Sequence, residues 1–188
     1  MSASSRLRLA LAAPLRLVRR RGFGVHSPFA YSFITGVLHG TYHFYAHKRV
    51  RRLAHGSHAV ASLLMLTFRI AARFDVRRAA SFGPGKERFD ATLRLTRSDM
   101  ELDSATPQLV VADGDAPRLR EAVAATIAAG GTVVLARLRS TRSATAPLWS
   151  EAVRQLDSAG AGMTFTNGRT GIIVALRHLP RQDFKVWL

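Results

Sequence analysis

Cysteine is absent from all 188 residues. That excludes disulfides, thiolate zinc sites and a cysteine nucleophile together. Long hydrophobic runs are absent too. The longest mostly apolar run, residues 59–68, closes at Arg69, well short of the roughly 20 residues that span a bilayer. Lysine is scarce: only Lys48, Lys86 and Lys185 occur among 28 basic residues, so the positive charge is almost all arginine. Acid is missing from the first two fifths of the chain, where no Asp or Glu precedes Asp75.

Apolar residues make up 47% of the chain and charged residues 21%, the proportions of a globular protein rather than a disordered one. The length suits one domain, or one domain with an arm, and is enough to bury a core without covalent staples. The net charge is +16. Residues 1–74 hold eleven Arg and one Lys for +12, while residues 75–188 hold 16 basic and 12 acidic residues for +4. Such a field favours anionic partners: nucleic acid, phospholipid or phosphorylated metabolites. Arg- and Ala-rich usage with little Lys is also what genomic base composition produces, so the charge is either functional or compositional.

The pattern divides the chain into a basic helical region, residues 1–74, and an α/β region, residues 75–188. Residues 4–21 form a basic amphipathic segment interrupted at Pro14. They are read first as a solvated lead-in helix, with a mitochondrial presequence and a membrane-surface or nucleic-acid arm as alternatives. Arginines intrude on its apolar stretch, which argues against a secretory signal, and a cytoplasmic location is expected. Ser27 and Pro28 are cap and first residue of a helix whose apolar stripe includes Phe29, Phe33, Ile34, Val37 and Leu38, ending at Gly40. Tyr42, Phe44 and Tyr45 lie among His43 and His47, ahead of a basic patch at Lys48, Arg49, Arg51 and Arg52. Residues 57–74 fit a second, well-buried helix.

From residue 76 the texture changes to short β-like runs. Residues 79–82 end in Gly83-Pro84-Gly85. Residues 92–96 alternate as a half-exposed strand would, and residues 109–112 stop at Asp113-Gly114-Asp115. Residues 118–129 read as a helix, 132–135 as a buried strand and 147–159 as an amphipathic helix stopped by Gly160. Residues 163–165 and 171–176 flank Asn167-Gly168, a short-range hairpin signal. Strands separated by helices imply a parallel sheet, and the terminal hairpin adds an antiparallel edge.

Ligands in open α/β sheets bind outside the strand C-terminal ends. Gly83-Pro84-Gly85 and Asp113-Gly114 both occupy such ends. Glycines there let a backbone approach a cofactor closely; the same residues also make an ordinary tight turn, and Pro84 removes one amide donor. The two carboxylates of Asp113 and Asp115 suit hydroxyl groups or, with further oxygen ligands, a hard cation, but the next strand end offers only Ala136 and Arg137, so the turn reading is preferred and no metal site is assigned. His39, His43 and His47 follow an i, i+4, i+8 spacing broken by Gly40 and Thr41. No catalytic triad, phosphate loop or zinc spacing is present, and no catalytic residue is assigned.

Two segments are similar to a known group. Arg21-Gly22-Phe23-Gly24-Val25-His26-Ser27-Pro28-Phe29, with Phe33-Ile34-Thr35, resembles the N-terminal signature of small bacterial class I SAM-dependent methyltransferase-like proteins. Residues 162–188, with Gly171-Ile172-Ile173-Val174 and the closing Phe184-Lys185-Val186-Trp187-Leu188, resemble that group's last strands and tail. The resemblance implies a Rossmann-like, mostly parallel sheet with an antiparallel C-terminal hairpin and a helical N-terminal cap. It implies S-adenosyl-L-methionine as cofactor and places Gly83, Gly85, Asp113 and Gly114 around it. It also marks departures. Ser81 stands where an acidic residue is expected, although Phe82 keeps the apolar one, Asp99 and Glu101 are the nearby candidates for a ribose-binding acid, and Ala136-Arg137 replaces paired acids. The 23 residues between Gly85 and Leu109 are too few for two helices and two strands. At least one crossover helix is therefore missing or shortened.

The expectation is a divergent methyltransferase-like protein with weak or lost cofactor binding. The alternative is a non-enzymatic basic protein that engages nucleic acid or another anionic surface through Arg49, Arg51 and Arg52, with neighbouring aromatics as stacking faces.

Overall fold

The computed structural model describes residues 27–40, 45–140 and 143–188. Helix α1 (Pro28–Ser32) begins as its sequence dictates: Pro28 sits in the first turn and Ser27 Oγ accepts the Ala30 amide at 3.3 Å. The chain then widens into a π-helical segment, Phe33–Leu38, with the His39 amide donating five residues back to Ile34. Helices α2 (His47–Leu53) and α3 (His58–Arg73) complete the cap, α3 capped by Ser57. The rest is β1 (Arg78–Phe82), α4 (Lys86–Arg94), β2 (Glu101–Leu102), β3 (Leu109–Ala112), α5 (Leu119–Ala128), β4 (Thr132–Leu135), α6 (Thr145–Ala159), β5 (Met163–Thr166), β6 (Gly171–Val174) and β7 (Gln182–Lys185).

The strands form one mixed sheet in the order β2-β1-β3-β4-β6-β5-β7. Pairs β1–β2, β1–β3, β3–β4 and β5–β7 are parallel, and β6 alone runs against its neighbours β4 and β5. The expected α/β architecture, mostly parallel with an antiparallel C-terminal hairpin, is therefore present. Strands β3, β4 and β6 are buried along their whole length, as sheet strands covered on both faces must be. Side chains alternate between two cores. Leu109, Val111, Val134, Ile172 and Val174 pack with the cap and with Phe89 and Leu93 of α4, whereas Val110, Ala112, Val133, Leu135 and Ile173 pack with α5 and α6. The result is three layers, with the cap helices and α4 on one face of the sheet and α5 and α6 on the other.

One expectation needs correction. Residues 92–96 are not a strand. Thr92 and Leu93 belong to α4, where Phe89, Thr92 and Leu93 are buried at helical spacing. The Leu-Arg alternation that suggested a strand is overridden by this i, i+3, i+4 face. The stretch between Gly85 and Leu109 is short of one crossover helix, as its length requires: it keeps α4, but β2 has only two residues and returns to β3 without a helix. Gln108 closes that short path by accepting the Arg77 and Arg78 amides at 2.8 and 3.1 Å. At the C-terminus, Val186 is buried and Phe184 partly so, whereas Trp187 is 41% exposed. The hairpin loop spans 167–170, and Asn167 shapes it by accepting the Arg169 and Thr170 amides at 2.8 Å each.

Candidate functional site

From β1 the chain goes to one side of the sheet, to β2, and then to the other side, to β3 and β4. This reversal is a topological switch point, and the crevice outside the ends of the flanking strands is where such sheets take ligands. The β1–β3 register pairs Phe82 with Ala112, so the next residues, Gly83 and Asp113, emerge side by side. All four candidate residues, Gly83, Gly85, Asp113 and Gly114, are thereby brought together.

What they surround is one another. The Gly85 amide donates to Asp113 Oδ1 at 2.9 Å, and the Asp113 amide donates to the Phe82 carbonyl at 3.3 Å. A Cβ on Gly83 would stand 2.6 Å from Asp113 Oδ1 and 2.7 Å from the Gly114 nitrogen; on Gly85, 2.6 Å from Asp113 Oδ2; on Gly114, 2.8 Å from Pro84 Cδ. Gly83 also has φ +90°, a conformation that L side chains rarely adopt. Each glycine is thus required by the protein's own packing. Gly85 precedes the first turn of α4 and carries no side-chain cap of its own. The Asp113 carboxylate takes that place, where the helix dipole favours negative charge. It occupies the helix end that an anionic or polar ligand group would use in a nucleotide-binding sheet.

The acid beside β2 was missed at the sequence level. Asp103 follows the strand directly, in the left-handed region at φ +56°. Asp99 and Glu101 do not take this position: Glu101 opens β2, and Asp99 precedes it and is tied to Arg97 at 2.7 Å. Hydrogen bonding from Arg97 holds the Asp99 carboxyl below its ordinary range. The only advance signal for Asp103 was its place after a Met-Glu-Leu run too short to read as a strand. Its carboxylate is already engaged. Lys86 Nζ lies 2.7 Å from Asp103 Oδ1 and 2.8 Å from Asp90 Oδ2. Burial works against the Lys86 charge, but the two carboxylates outweigh it and hold the ammonium above its ordinary value. Beyond β4, Ala136 is buried and Arg137 is exposed at φ +61°, so that strand end adds no carboxylate.

Two grooves lie elsewhere, in the cap layer. One, of about 560 Å³, runs between α2 and α4 and is lined by Arg49, Arg52, Leu53, Ala91, Arg94 and Leu95. The other, of about 340 Å³, lies between the π-helical segment and α3, and its lining includes Gly36, Val37, Arg69 and Arg73. Arg69 donates to the Leu38 carbonyl at 3.4 Å, and burial together with nearby Arg51 lowers its affinity for its proton. Of the aromatic cluster, Tyr45 is fully exposed, while Tyr42, His43 and Phe44 lie outside the described residues, as does the Arg21–His26 part of the N-terminal signature. His39 ends the π-helical segment and His47 opens α2, its buried ring 5.8 Å from Phe68. Arg49, Arg51 and Arg52 are exposed on α2.

No family model, curated protein or solved structure matches this chain. No helix among the described residues is long and apolar enough to cross a membrane.

Proposed function

We propose that the chain is a divergent SAM-methyltransferase-like protein whose cofactor site its own side chains have closed, and that it works by binding single-stranded nucleic acid through its arginine-rich cap. The observation that carries this reading is the Asp113 carboxylate lodged between Gly83 and Gly85, with Oδ1 on the Gly85 amide at 2.9 Å. The residues that the resemblance assigns to the cofactor are those that fill the crevice. On its β2 side the wall is shortened, and Lys86 neutralises Asp103, the one acid following that strand. Tight binding of a small ligand needs most of its surface buried, and a closed crevice with one short wall does not supply that.

The reading toward nucleic acid is supported by the acid-free cap, whose exposed Lys48, Arg49, Arg51 and Arg52 stand close in sequence to exposed Tyr45. Charge that tracks a phosphate backbone, together with aromatic faces for bases, is the requirement for single strands. Calorimetric titration of the full chain with S-adenosylmethionine and S-adenosylhomocysteine tests the first half. No binding tighter than about millimolar is expected, equivalent to about 4 kcal/mol; micromolar binding would overturn it. Binding of labelled single-stranded oligonucleotide that falls steeply with salt is expected for the second half. Affinity that stays flat with salt, or no binding at low salt, would refute it.

A further inference from the structure

The groove between α2 and α4 joins residues far apart in sequence. Arg49 and Arg52 are three apart on α2, which places them on one face, and Ala91, Arg94 and Leu95 form an i, i+3, i+4 stripe along and just beyond α4. Both walls are anchored from below, α2 by fully buried Val50 and α4 by buried Phe89 and Leu93. Leu53, Ala91 and Leu95 supply an apolar lining, and the three guanidinium groups provide the charge.

What sets these three arginines apart is that they line one groove with no carboxylate in its lining. Arg97 is bonded to Asp75 and Asp99, Arg181 to Asp157 and Asp183, Arg120 to Glu151, and Lys86 to Asp90 and Asp103. None of the ion pairs among the described residues includes Arg49, Arg52 or Arg94. Asp90, one turn before Arg94, is committed to Lys86. Like charges gathered without a carboxylate repel one another, and a bound anion relieves that repulsion. Guanidinium forks match phosphate oxygens in a bidentate manner, which a point charge does not.

We infer that this groove is a phosphate-binding site in which Arg49 and Arg52 of the cap and Arg94 of α4 together hold the backbone of a single-stranded nucleic acid. The inference rests on the nucleic-acid reading above and adds its location, including an arginine outside the acid-free segment. A volume of about 560 Å³ is in the range of sites for nucleotide-sized ligands and generous for a lone phosphate. The outer face of α2 favours a polymer over a membrane surface: Lys48, Arg49, Arg51 and Arg52 are exposed, whereas Val50 is buried, so this face of α2 offers a bilayer charge rather than an apolar stripe.

The test uses the full chain and a labelled oligo-dT of about twelve nucleotides, read by fluorescence anisotropy between about 50 and 200 mM salt. Arg94→Gln is expected to weaken binding about tenfold and to reduce the slope of log affinity against log salt by about 0.7, with a reduction of about 2 for the triple Gln variant. Arg94→Lys is expected to retain most of the slope and only part of the affinity. Arg154→Gln, on α6 at the opposite face of the sheet, is expected to bind like the parent. Arg94 is exposed, so unchanged thermal unfolding is expected and checks that the fold is kept. If the parent binds and Arg94→Gln binds equally well, the groove is not the site, although the cap reading stands. If the parent does not bind oligo-dT at low salt, the nucleic-acid reading itself falls. Binding to phosphatidylserine vesicles without binding to oligo-dT, or displacement of oligo-dT by millimolar inorganic phosphate at constant ionic strength, overturns the inference in favour of a membrane surface or a free phosphate.

Discussion

Asp113 stands where a side chain on Gly85 would have to go: Oδ1 holds the Gly85 amide at 2.9 Å while Oδ2 lies 2.6 Å from the Cβ position. Because Gly85 has φ −89°, its backbone tolerates any residue, and the exclusion comes from its neighbours. Gly85→Ala is therefore expected to cost about 1–3 kcal/mol by overpacking. In an Asp113→Ala background most of that cost should vanish, giving a coupling of about 0.5–3 kcal/mol between two contacting residues. Urea unfolding of the two single variants and the double variant measures it. Strict additivity would show that Phe89, at 3.1 Å from the same Cβ position, is the obstacle instead.

A second test concerns the hairpin. A Cβ on Gly171 would overlap the six-membered ring of Trp149, which packs against that glycine. Gly171→Ala should push the indole outward and destabilise the domain by about 1–3 kcal/mol. Trp187, the other tryptophan, is already 41% exposed, so a red shift in emission on substitution reports Trp149. Emission and stability equal to the parent's would mean that the indole is not packed there.

The strands β3 and β4 and the helix α6 were legible because each carries its own local signal: β-branched runs for the strands, and an amphipathic period ended by Gly160 at φ +62° for the helix. Helix α4 was hidden because residues 92–96 alternate Leu with Arg and Thr, a strand period. Only the packing of Phe89 and Leu93 against the sheet decides for helix. Strand β2, two residues long, is set by its hydrogen bonds to β1 and has no pattern of its own. The site divides in the same way. Gly83-Pro84-Gly85 and Asp113-Gly114 were each visible as strand-end motifs, but the carboxylate of one filling the other depends on the Phe82–Ala112 register. Arg94 could not be associated with Arg49 and Arg52, because a helix packing places it there.

The C-terminal tail bears load. Strand β7 pairs with β5, Phe184 stacks on Phe165 at 5.1 Å, and Phe165 meets Phe33 of the cap at 4.7 Å. Removal of residues 180–188 uncovers one side of Phe165 and deletes buried Val186. Burial of such side chains is worth about 1.5–3 kcal/mol each, and the stack adds about 1. A fall in Tm of at least about 5 °C is expected for a chain of this size. Thermal unfolding unchanged by the truncation would show the tail to be an appendage.

The same strand carries a pH-dependent contribution. Asp183 accepts from Thr164 Oγ1 at 2.5 Å and pairs with Arg181 at 2.7 Å, while Arg181 also holds Asp157 at 2.7 Å. Partial burial opposes ionisation of Asp183, but the hydrogen bonds from Thr164 and Arg181 outweigh it and set its pKa below the ordinary 3.8. A depressed carboxyl pKa means that the unfolded chain binds the proton more readily. The stabilisation is thus present in full above the ordinary carboxylate value and disappears as the pH falls through the folded one. Because the Asp183 side chain is 65% exposed, solvent screening keeps the contribution below about 1 kcal/mol. Asp183→Asn preserves shape and an acceptor oxygen while removing the charge, so it should lower Tm slightly at neutral pH. Its deficit should close as the pH drops below the carboxylate range. Melting curves of the parent and Asp183→Asn across an acid series measure this, and a deficit that is constant with pH would mean that the ion pair contributes through packing rather than charge.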